Sequence, residues 1–252
     1  MKSNLNELYP NIFTRKSTRS FLDMPLKKED LHTIFDRIKT FRSLPSIDQN
    51  WQIIYELDDG KKLYNVNAPA YFVFIIKKNP LFFVQTGYVM QQLDLFCSLM
   101  GIGTCWIGLS RAKPIKDDDD IYETIRMAVG YAKKDVHRKY KDQFKRFPLD
   151  IIANNHRYKD IIEAARMAPS SLNSQPWYFT SDEGTITLSK RRSLQPHNIF
   201  SQRFIEINCG IALLHVVTAL ENKGIRYEMI INKQPQQDKS WIAKIQLETE
   251  LS

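Results

Sequence analysis

A short basic run near the start of the sequence carries side chains that bind phosphate. Arg15, Lys16, Ser17 and Arg19 all lie within it. An arginine offers two parallel donors to a phosphate group, and a serine hydroxyl adds a neutral donor. The run therefore predicts a phosphate-binding arm, although a solvated basic arm would have the same composition.

A second run, past the middle of the chain, could bind a flat heterocycle. It extends from Pro169 to Trp177 and includes Ser170, Ser171 and Asn173. Small hydroxyl side chains and an amide can approach the edge of a ring, and the two prolines restrict the backbone. The alternative is an ordinary connection between a helix and a strand.

Two further segments could contribute to the same kind of site. Three glycines lie in Gly101–Gly108, so the backbone there could come close to a ligand. The segment follows a predicted helix, which argues against a dinucleotide fingerprint, and a helix cap with a tight turn would also explain its glycines. Lys145 and Arg146 could close on a phosphate from the far side, or form a solvated basic pair.

Other kinds of chemistry find little support in the sequence. Cys97, Cys105 and Cys209 are far apart and form no C-x-x-C pair, so neither a disulfide framework nor a zinc site is indicated. The five histidines lack metal-ligand spacing, and no nucleophilic triad can be recognised. Residues 1–11 lack the apolar core of a secretion signal, and interruptions in the apolar runs argue against a membrane span. We therefore expect a cytoplasmic protein with no membrane partner.

Composition leaves the fold and the partners open. Of the 252 residues, 43% are hydrophobic and 25% are charged, which is typical of a globular chain that forms one large or two small domains. The formal net charge of +8 is compatible with a basic background, with attraction of a phosphorylated ligand, or with nucleic-acid binding. Because the basic residues are scattered among acidic ones, we expect no nucleic-acid partner.

The sequence repeats itself at about half its length. Residues 34–46 match 158–170 without a gap, and a two-residue insertion then brings Trp51 onto Trp177. Further on, residues 87–102 match 210–225 with identical spacing, and each copy reads as an apolar helix that ends at a glycine. We predict two halves, 1–140 and 141–252, packed as one pseudo-dimeric domain with an approximate two-fold axis.

Periodicity predicts mixed helices and strands without regular alternation, which favours the α+β class. The predicted helices are 28–41, 80–100, 158–167 and 206–222. The predicted strands are 51–56, 70–77, 125–132, 177–180, 185–189, 225–231 and 241–247.

Taken together, these segments resemble the nitroreductase family of FMN enzymes. The matching pieces are R-x-S-x-R (Arg15, Ser17, Arg19), G-I-G-T-C-W-I-G after a helix, and A-P-S-S-L-N-S-Q-P-W (Ala168–Trp177). The resemblance implies a mixed or antiparallel sheet flanked by helices. Typical members carry the arm and the loop in one unit, and two units dimerise around their flavins. Here the arm lies in the first half and the loop in the second, which resembles a subgroup that holds both halves of the dimer in one chain.

The resemblance also implies a site and a reaction. One FMN would lie between the halves, and NADH or NADPH would reduce it before a nitroaromatic, quinone or similar electron-poor acceptor is reduced by hydride transfer through flavin N5. A monomeric pseudo-dimer is implied, with further homodimerisation possible. The implied cofactor-binding residues are Arg15, Lys16, Ser17, Arg19, Trp106, Ile107, Gly108, Lys145, Arg146, Pro169, Ser170, Ser171 and Asn173.

Two alternatives remain at this stage. Because the second half lacks the arm, the chain could be a degenerate pseudo-dimer that binds FMN, or nothing, without turnover. Charge alone would also allow a nucleic-acid binder. In every flavin-binding interpretation, a vacant relic of the second site is expected near Pro45–Trp51.

Overall fold

The computed structural model describes residues 4–47, 50–59, 66–108, 113–115, 118–191, 201–234 and 241–248. The helices in these ranges are α1 (Tyr9–Ile12), α2 (Lys28–Ile38), α3 (Phe82–Leu99), α4 (Leu149–Ile152), α5 (Lys159–Arg166) and α6 (Ser201–Asn222). The strands are β1 (Trp51–Leu57), β2 (Ala70–Lys77), β3 (Gly103–Ile107), β4 (Lys113–Ile115), β5 (Asp118–Gly130), β6 (Trp177–Asp182), β7 (Thr185–Lys190), β8 (Tyr227–Ile231) and β9 (Trp241–Leu247).

The described strands form two antiparallel sheets with the same connectivity. The first has the order β1-β2-β5-β3, with the short β4 paired to β5, and the second has the order β6-β7-β9-β8. In each sheet a hairpin is followed by a long helix and then, if the short β4 is left aside, by two strands, of which the later one lies inside the sheet. The predicted α+β class with antiparallel sheets and flanking helices is confirmed.

The two long helices α3 and α6 pack against each other through reciprocal glycine contacts. A Cβ atom on Gly87 would overlap the carbonyl oxygen of Ile207, and one on Gly210 would overlap the carbonyl oxygen of Val84. Gly210 and Ile207 lie 123 positions after Gly87 and Val84, so each contact is the counterpart of the other. Such reciprocity is what a two-fold interface produces, and it supports the predicted pseudo-two-fold arrangement.

One hydrophobic core spans both sequence halves. Its buried members range from Leu5 and Phe74 to Trp177 and Ile245, all essentially inaccessible to solvent. Helix α6 is long and apolar enough to cross a membrane by composition, but 89% of its apolar window is buried inside this protein. A helix that is apolar on all sides is typical of such a core position.

Two segments differ from the predictions in a way that matters for the site. The segment after α3 was expected to be a cap and a tight turn; Gly101 does adopt a left-handed conformation (φ 72°), but Gly103–Ile107 then forms strand β3. Strand β5 begins seven residues before the predicted 125, because its acidic first part pairs with Lys77 and with β4. The predicted helix 206–222 likewise begins earlier, at Ser201.

Candidate functional site

The basic arm is held as an extended segment between two parts of the first half. The Lys16 amide donates to the Val136 carbonyl at 3.2 Å, and the Thr18 amide donates to the Thr104 carbonyl on β3 at 2.8 Å. Arg15 also forms an antiparallel bridge with His137. These backbone bonds fix the direction in which successive side chains of the arm point.

Arg15 points into the protein, toward a buried carboxylate. Its side chain is only 2% exposed, and its Nε lies 2.9 Å from Oδ2 of the fully buried Asp94 on α3. The Arg15 Nη2 also donates to the Ser17 hydroxyl at 3.3 Å. On its other oxygen, Asp94 accepts a hydrogen bond from the Thr104 hydroxyl. Arg15 is thus locked in place, and Ser17 is held beside it.

Two more guanidinium groups approach the arm from the segment that joins the halves. Arg138 donates to the Arg15 carbonyl, and its guanidinium carbon lies 4.1 Å from the centroid of the Phe144 ring. The guanidinium of Arg146 lies 5.5 Å from the same ring. We call Arg15, Arg138 and Arg146 the guanidinium cluster.

The cluster holds more positive than negative charge. Burial, with the nearby charge of Arg15, lowers the pKa of Arg138 to about 10 and that of Arg146 to about 9. Within the described ranges, neither group makes an ion pair with a carboxylate, and the Arg146 Nε has no hydrogen-bond partner. Arginine keeps its proton in practice, so burial and the neighbouring positive charges make these two guanidiniums sites where a bound anion would be favourable.

An open groove of about 320 Å³ lies on the outer side of the arm. Lys16, Arg138 and Lys139 supply positive charge to it, whereas Asp135 supplies negative charge. His137 also lines the groove, although its Nε2 is tied to the Ser98 carbonyl at 2.9 Å. The groove suits an anionic group that is in contact with water.

The loop 169–177 has a strained backbone that side chains hold in place. Leu172, Asn173 and Gln175 have positive φ values of 52°, 57° and 45°, a conformation that costs energy in residues other than glycine. The buried Gln175 side chain accepts from the Phe147 amide at 2.8 Å and donates to the Asn173 carbonyl at 3.2 Å. A strained backbone that several side-chain hydrogen bonds hold in place is typical of a binding loop.

This loop contacts the guanidinium cluster directly. The Asn173 Oδ1 accepts from Arg146 Nη1 at 2.7 Å, and the Asn173 Nδ2 donates to the Lys145 carbonyl at 2.7 Å. Arg146 therefore binds the loop of the second half, and its pKa is lowered in part by the charge of Arg15 on the arm. Lys145 contributes its carbonyl, whereas its side chain is exposed.

The end of β3 also meets the second half. A Cβ atom built on Gly108 would lie 3.8 Å from the Ser171 hydroxyl and 3.8 Å from the Phe204 ring. Of the two residues before it, Trp106 is half-buried and Ile107 points into a small core cluster. Only the backbone of Ile107 is therefore placed to face a ligand.

Three residues of this region had no place in the sequence predictions. Arg138 lies in a stretch with little resemblance to the family, so only its basic charge could have signalled it. Asp94 is the single charged residue of α3, and an isolated charge in an apolar helix is a usable signal. Asn208 on α6 accepts from the Ser171 amide at 3.2 Å, and no motif marks it.

Comparisons with known proteins point to one family. A family profile described as "Putative TM nitroreductase" matches residues 7–220. The solved structure of a Thermotoga maritima protein described as a "putative nitroreductase" is 22% identical, covers 98% of this chain and 95% of its own, and superposes with a TM-score of 0.63. That likeness shows the shared fold.

Smaller relatives match only part of the chain. An FMN-dependent nitroreductase from Clostridium difficile is 17% identical over 54% of this chain and 93% of its own, with a TM-score of 0.43. An NADH oxidase from Clostridium acetobutylicum is 17% identical over 56% of this chain and 96% of its own, with a TM-score of 0.45. No curated protein sequence matches the chain.

Proposed function

The chain belongs to the nitroreductase family, and on this premise we propose that it is an FMN-dependent oxidoreductase. NADH or NADPH would serve as the reductant, and a nitroaromatic, quinone or similar electron-poor compound as the acceptor. The observation that carries the proposal is the guanidinium cluster, in which Arg138 bonds to the arm and Arg146 bonds to the loop. Among the described residues, neither of these two guanidiniums forms an ion pair with a carboxylate.

The phosphate of FMN suits this cluster. A phosphate carries up to two negative charges and several acceptor oxygens, which Arg138, Arg146 and the arm can bind at once. Arg15 and Ser17 would hold it from the inner side, while Lys16, Arg19 and Lys145 would add charge at the rim. The unpartnered, buried Nε of Arg146 is a donor that a polar ligand at the cluster would satisfy.

The ring of FMN suits the contact between the halves. Pro169, Ser170, Ser171 and Asn173 would line one edge, and the backbone of residues 106–108 would line another. When bound, FMN supplies the hydride-transfer chemistry. The protein's own residues would position the ring and exclude water from it, and the strained loop is suited to that because side chains already fix its shape.

The proposal is tested by flavin binding and reduction. We expect the purified protein to bind FMN and the bound flavin to be bleached anaerobically by NADPH or NADH. A protein that FMN neither colours nor stabilises contradicts the proposal. A protein that binds FMN but transfers no electrons supports instead a pseudo-dimer without turnover.

A variant of the cluster tests the assigned phosphate site. We expect Arg138→Gln to weaken FMN binding by about 10- to 100-fold, the value of a lost charge-assisted hydrogen bond, and to leave riboflavin binding nearly unchanged. Arg226→Gln is the matched control, because Arg226 is 79% exposed and pairs with Glu248 at the surface. If the two variants bind FMN with equal affinity, the phosphate is not bound by Arg138.

A further inference from the structure

Asp94 is a carboxylate in an unusual environment. It lies on α3, is fully buried, and is the only charged residue of that helix. A buried carboxylate is costly unless charge and hydrogen bonds compensate for it. Here the compensation comes from Arg15, whose Nε lies 2.9 Å from Oδ2, and from the Thr104 hydroxyl.

Asp94 and Arg15 attract each other mainly through their charges, and a well-aligned hydrogen bond contributes less. The Asp94 Oδ2 has no well-aligned hydrogen-bond donor among the described residues although the Arg15 guanidinium is close. The field of Asp94 also reaches Arg138, where it opposes the positive charges of Arg15 and Arg19. Asp94 is therefore the negative charge that the guanidinium cluster has of its own.

The second half has no such charge at the equivalent position. Val217 on α6 lies 123 positions after Asp94, the same offset that relates the reciprocal glycine contacts of the two helices. No counterpart of the basic arm is recognisable at the start of that half. Of these two equivalent positions, only the one in the half that also carries the arm thus holds a carboxylate.

We propose that Asp94 is an internal counter-ion for the phosphate site, which neutralises and orients Arg15 when no anion is bound and opposes the anion when it binds. This inference rests on the proposed FMN function. Its consequence is that Asp94 stabilises the empty protein and weakens its affinity for phosphate-bearing ligands. FMN release would then leave a folded protein.

The test is Asp94→Asn, which preserves shape and removes the charge. Without FMN, we expect the melting temperature to fall by about 10 °C, because Arg15 becomes an uncompensated buried charge. FMN should restore most of this loss, and its dissociation constant should become about tenfold smaller, because a nearby repulsive charge is gone. Riboflavin, which lacks the phosphate, should show no such gain.

Glu221→Gln is the matched control. Glu221 is a partly buried carboxylate that pairs with Arg42, outside the guanidinium cluster. We expect it to lower the melting temperature without tightening FMN binding. Unchanged or weaker FMN binding by Asp94→Asn overturns the inference, whereas failure of the unaltered protein to bind FMN overturns the proposed function instead.

If Asp94→Asn does not fold even with FMN, a second variant tests whether Asp94 opposes the bound phosphate. Replacing both partners, Arg15→Met with Asp94→Leu, removes the buried pair together, which is often neutral for stability. We expect this double variant to fold without FMN and to prefer FMN over riboflavin more strongly than Arg15→Met alone, because the carboxylate that opposes the phosphate is gone. An equal or weaker preference in the double variant would overturn the inference.

Discussion

His215 and Gln92 occupy equivalent positions on α6 and α3, but only one of them can titrate. Gln92 bonds to the backbone of Arg42 at 2.8 and 3.0 Å, and His215 donates from Nδ1 to the Ala164 carbonyl at 2.9 Å. The Nε2 of His215 lies 3.1 Å from the Gln91 amide nitrogen, so the ring is neutral and accepts there. Each side chain thus bonds its long helix to the backbone of another segment of the same chain.

This difference predicts how stability depends on pH. Burial, with the charges of Arg15 and Arg146, lowers the pKa of His215 to about 3. Between about pH 3 and the ordinary value of 6.5, the unfolded chain therefore binds a proton that the folded protein does not. Stability falls as the pH falls through this window, by at most about 1.4 kcal/mol per pH unit from this group.

We expect His215→Gln to remove that dependence, since glutamine can donate to Ala164 without titrating. The measurement is the unfolding free energy by denaturant at pH 6.0, 5.5 and 5.0. His32→Gln is the control, because the His32 side chain is 80% exposed. An unaltered slope in His215→Gln would show that His215 is not the buried neutral group.

The sequence pattern could predict the residues whose role depends on their neighbours in the sequence. The arm and the loop were recognisable because the residues of each are adjacent in sequence. No sequence spacing could predict the roles of Asp94, Arg138 and Asn208, because their partners lie far away in the chain. Arg146 was predicted on charge, but its contact with Asn173 depends on the tertiary fold.

Among the elements, the long helices and their ends were predictable and the short strand β3 was not. Apolar periodicity and the capping glycines fix α3 and α6, and Gly101 and Gly224 both adopt the expected left-handed conformation (φ 72° and 69°). Strand β3 has five residues that begin with glycine, and only its pairing with β5 makes it a strand. That pairing brings Gly108 to the second half.

The contact between α3 and α6 gives an element-level prediction. In an open helix, Gly→Ala usually stabilises by up to about 1 kcal/mol. We expect Gly87→Ala and Gly210→Ala each to destabilise by about 2–3 kcal/mol, because the added methyl group would overlap backbone that cannot move away. Denaturant unfolding measures both.

Gly101→Ala serves as the comparison for these variants. No heavy atom lies within 4 Å of its added Cβ, so only the positive φ is unfavourable, at about 1–2 kcal/mol. Similar losses at Gly87 and Gly210 would support reciprocal packing. A stabilised Gly87→Ala or Gly210→Ala would contradict the close approach of the two helices.

For the molecule as a whole, the two halves share connectivity and core but differ at the site. The predicted relic, Pro45–Trp51, contains positions 48 and 49, which lie outside the described residues. Within it, Ser46 has a positive φ of 59°. Just before it, the Leu44 amide donates to the Gln85 side chain at 2.8 Å; in the second half, the Ser171 amide donates to the Asn208 side chain. Ser170, the sequence counterpart of Ser46, is instead extended (φ −147°), so the backbones of the two loops differ at this position. Val217 replaces Asp94, and no second basic arm is recognisable in the sequence.

This asymmetry leads us to expect one FMN per chain. A symmetric dimer of single units would build two sites, but here the basic arm occurs once and the loop with Asn173 occurs once. Saturating the protein, removing free flavin and comparing flavin absorbance with protein concentration after denaturation gives the ratio. Two flavins per chain would contradict the expected loss of the second site.

Substitutions of Ser46 and Ser170, which are equivalent in sequence but differ in backbone (φ 59° and −147°), test which half binds the flavin. Ser170 lies 124 positions after Ser46, and its hydroxyl accepts from the Gln175 amide at 3.0 Å within the strained loop. We expect Ser170→Gly to lower FMN affinity by about fivefold or more, because one hydrogen bond that shapes the loop is lost. Ser46→Gly should leave FMN affinity unchanged and relieve the positive φ. The reverse result would assign the flavin to the opposite side of the pseudo-two-fold axis.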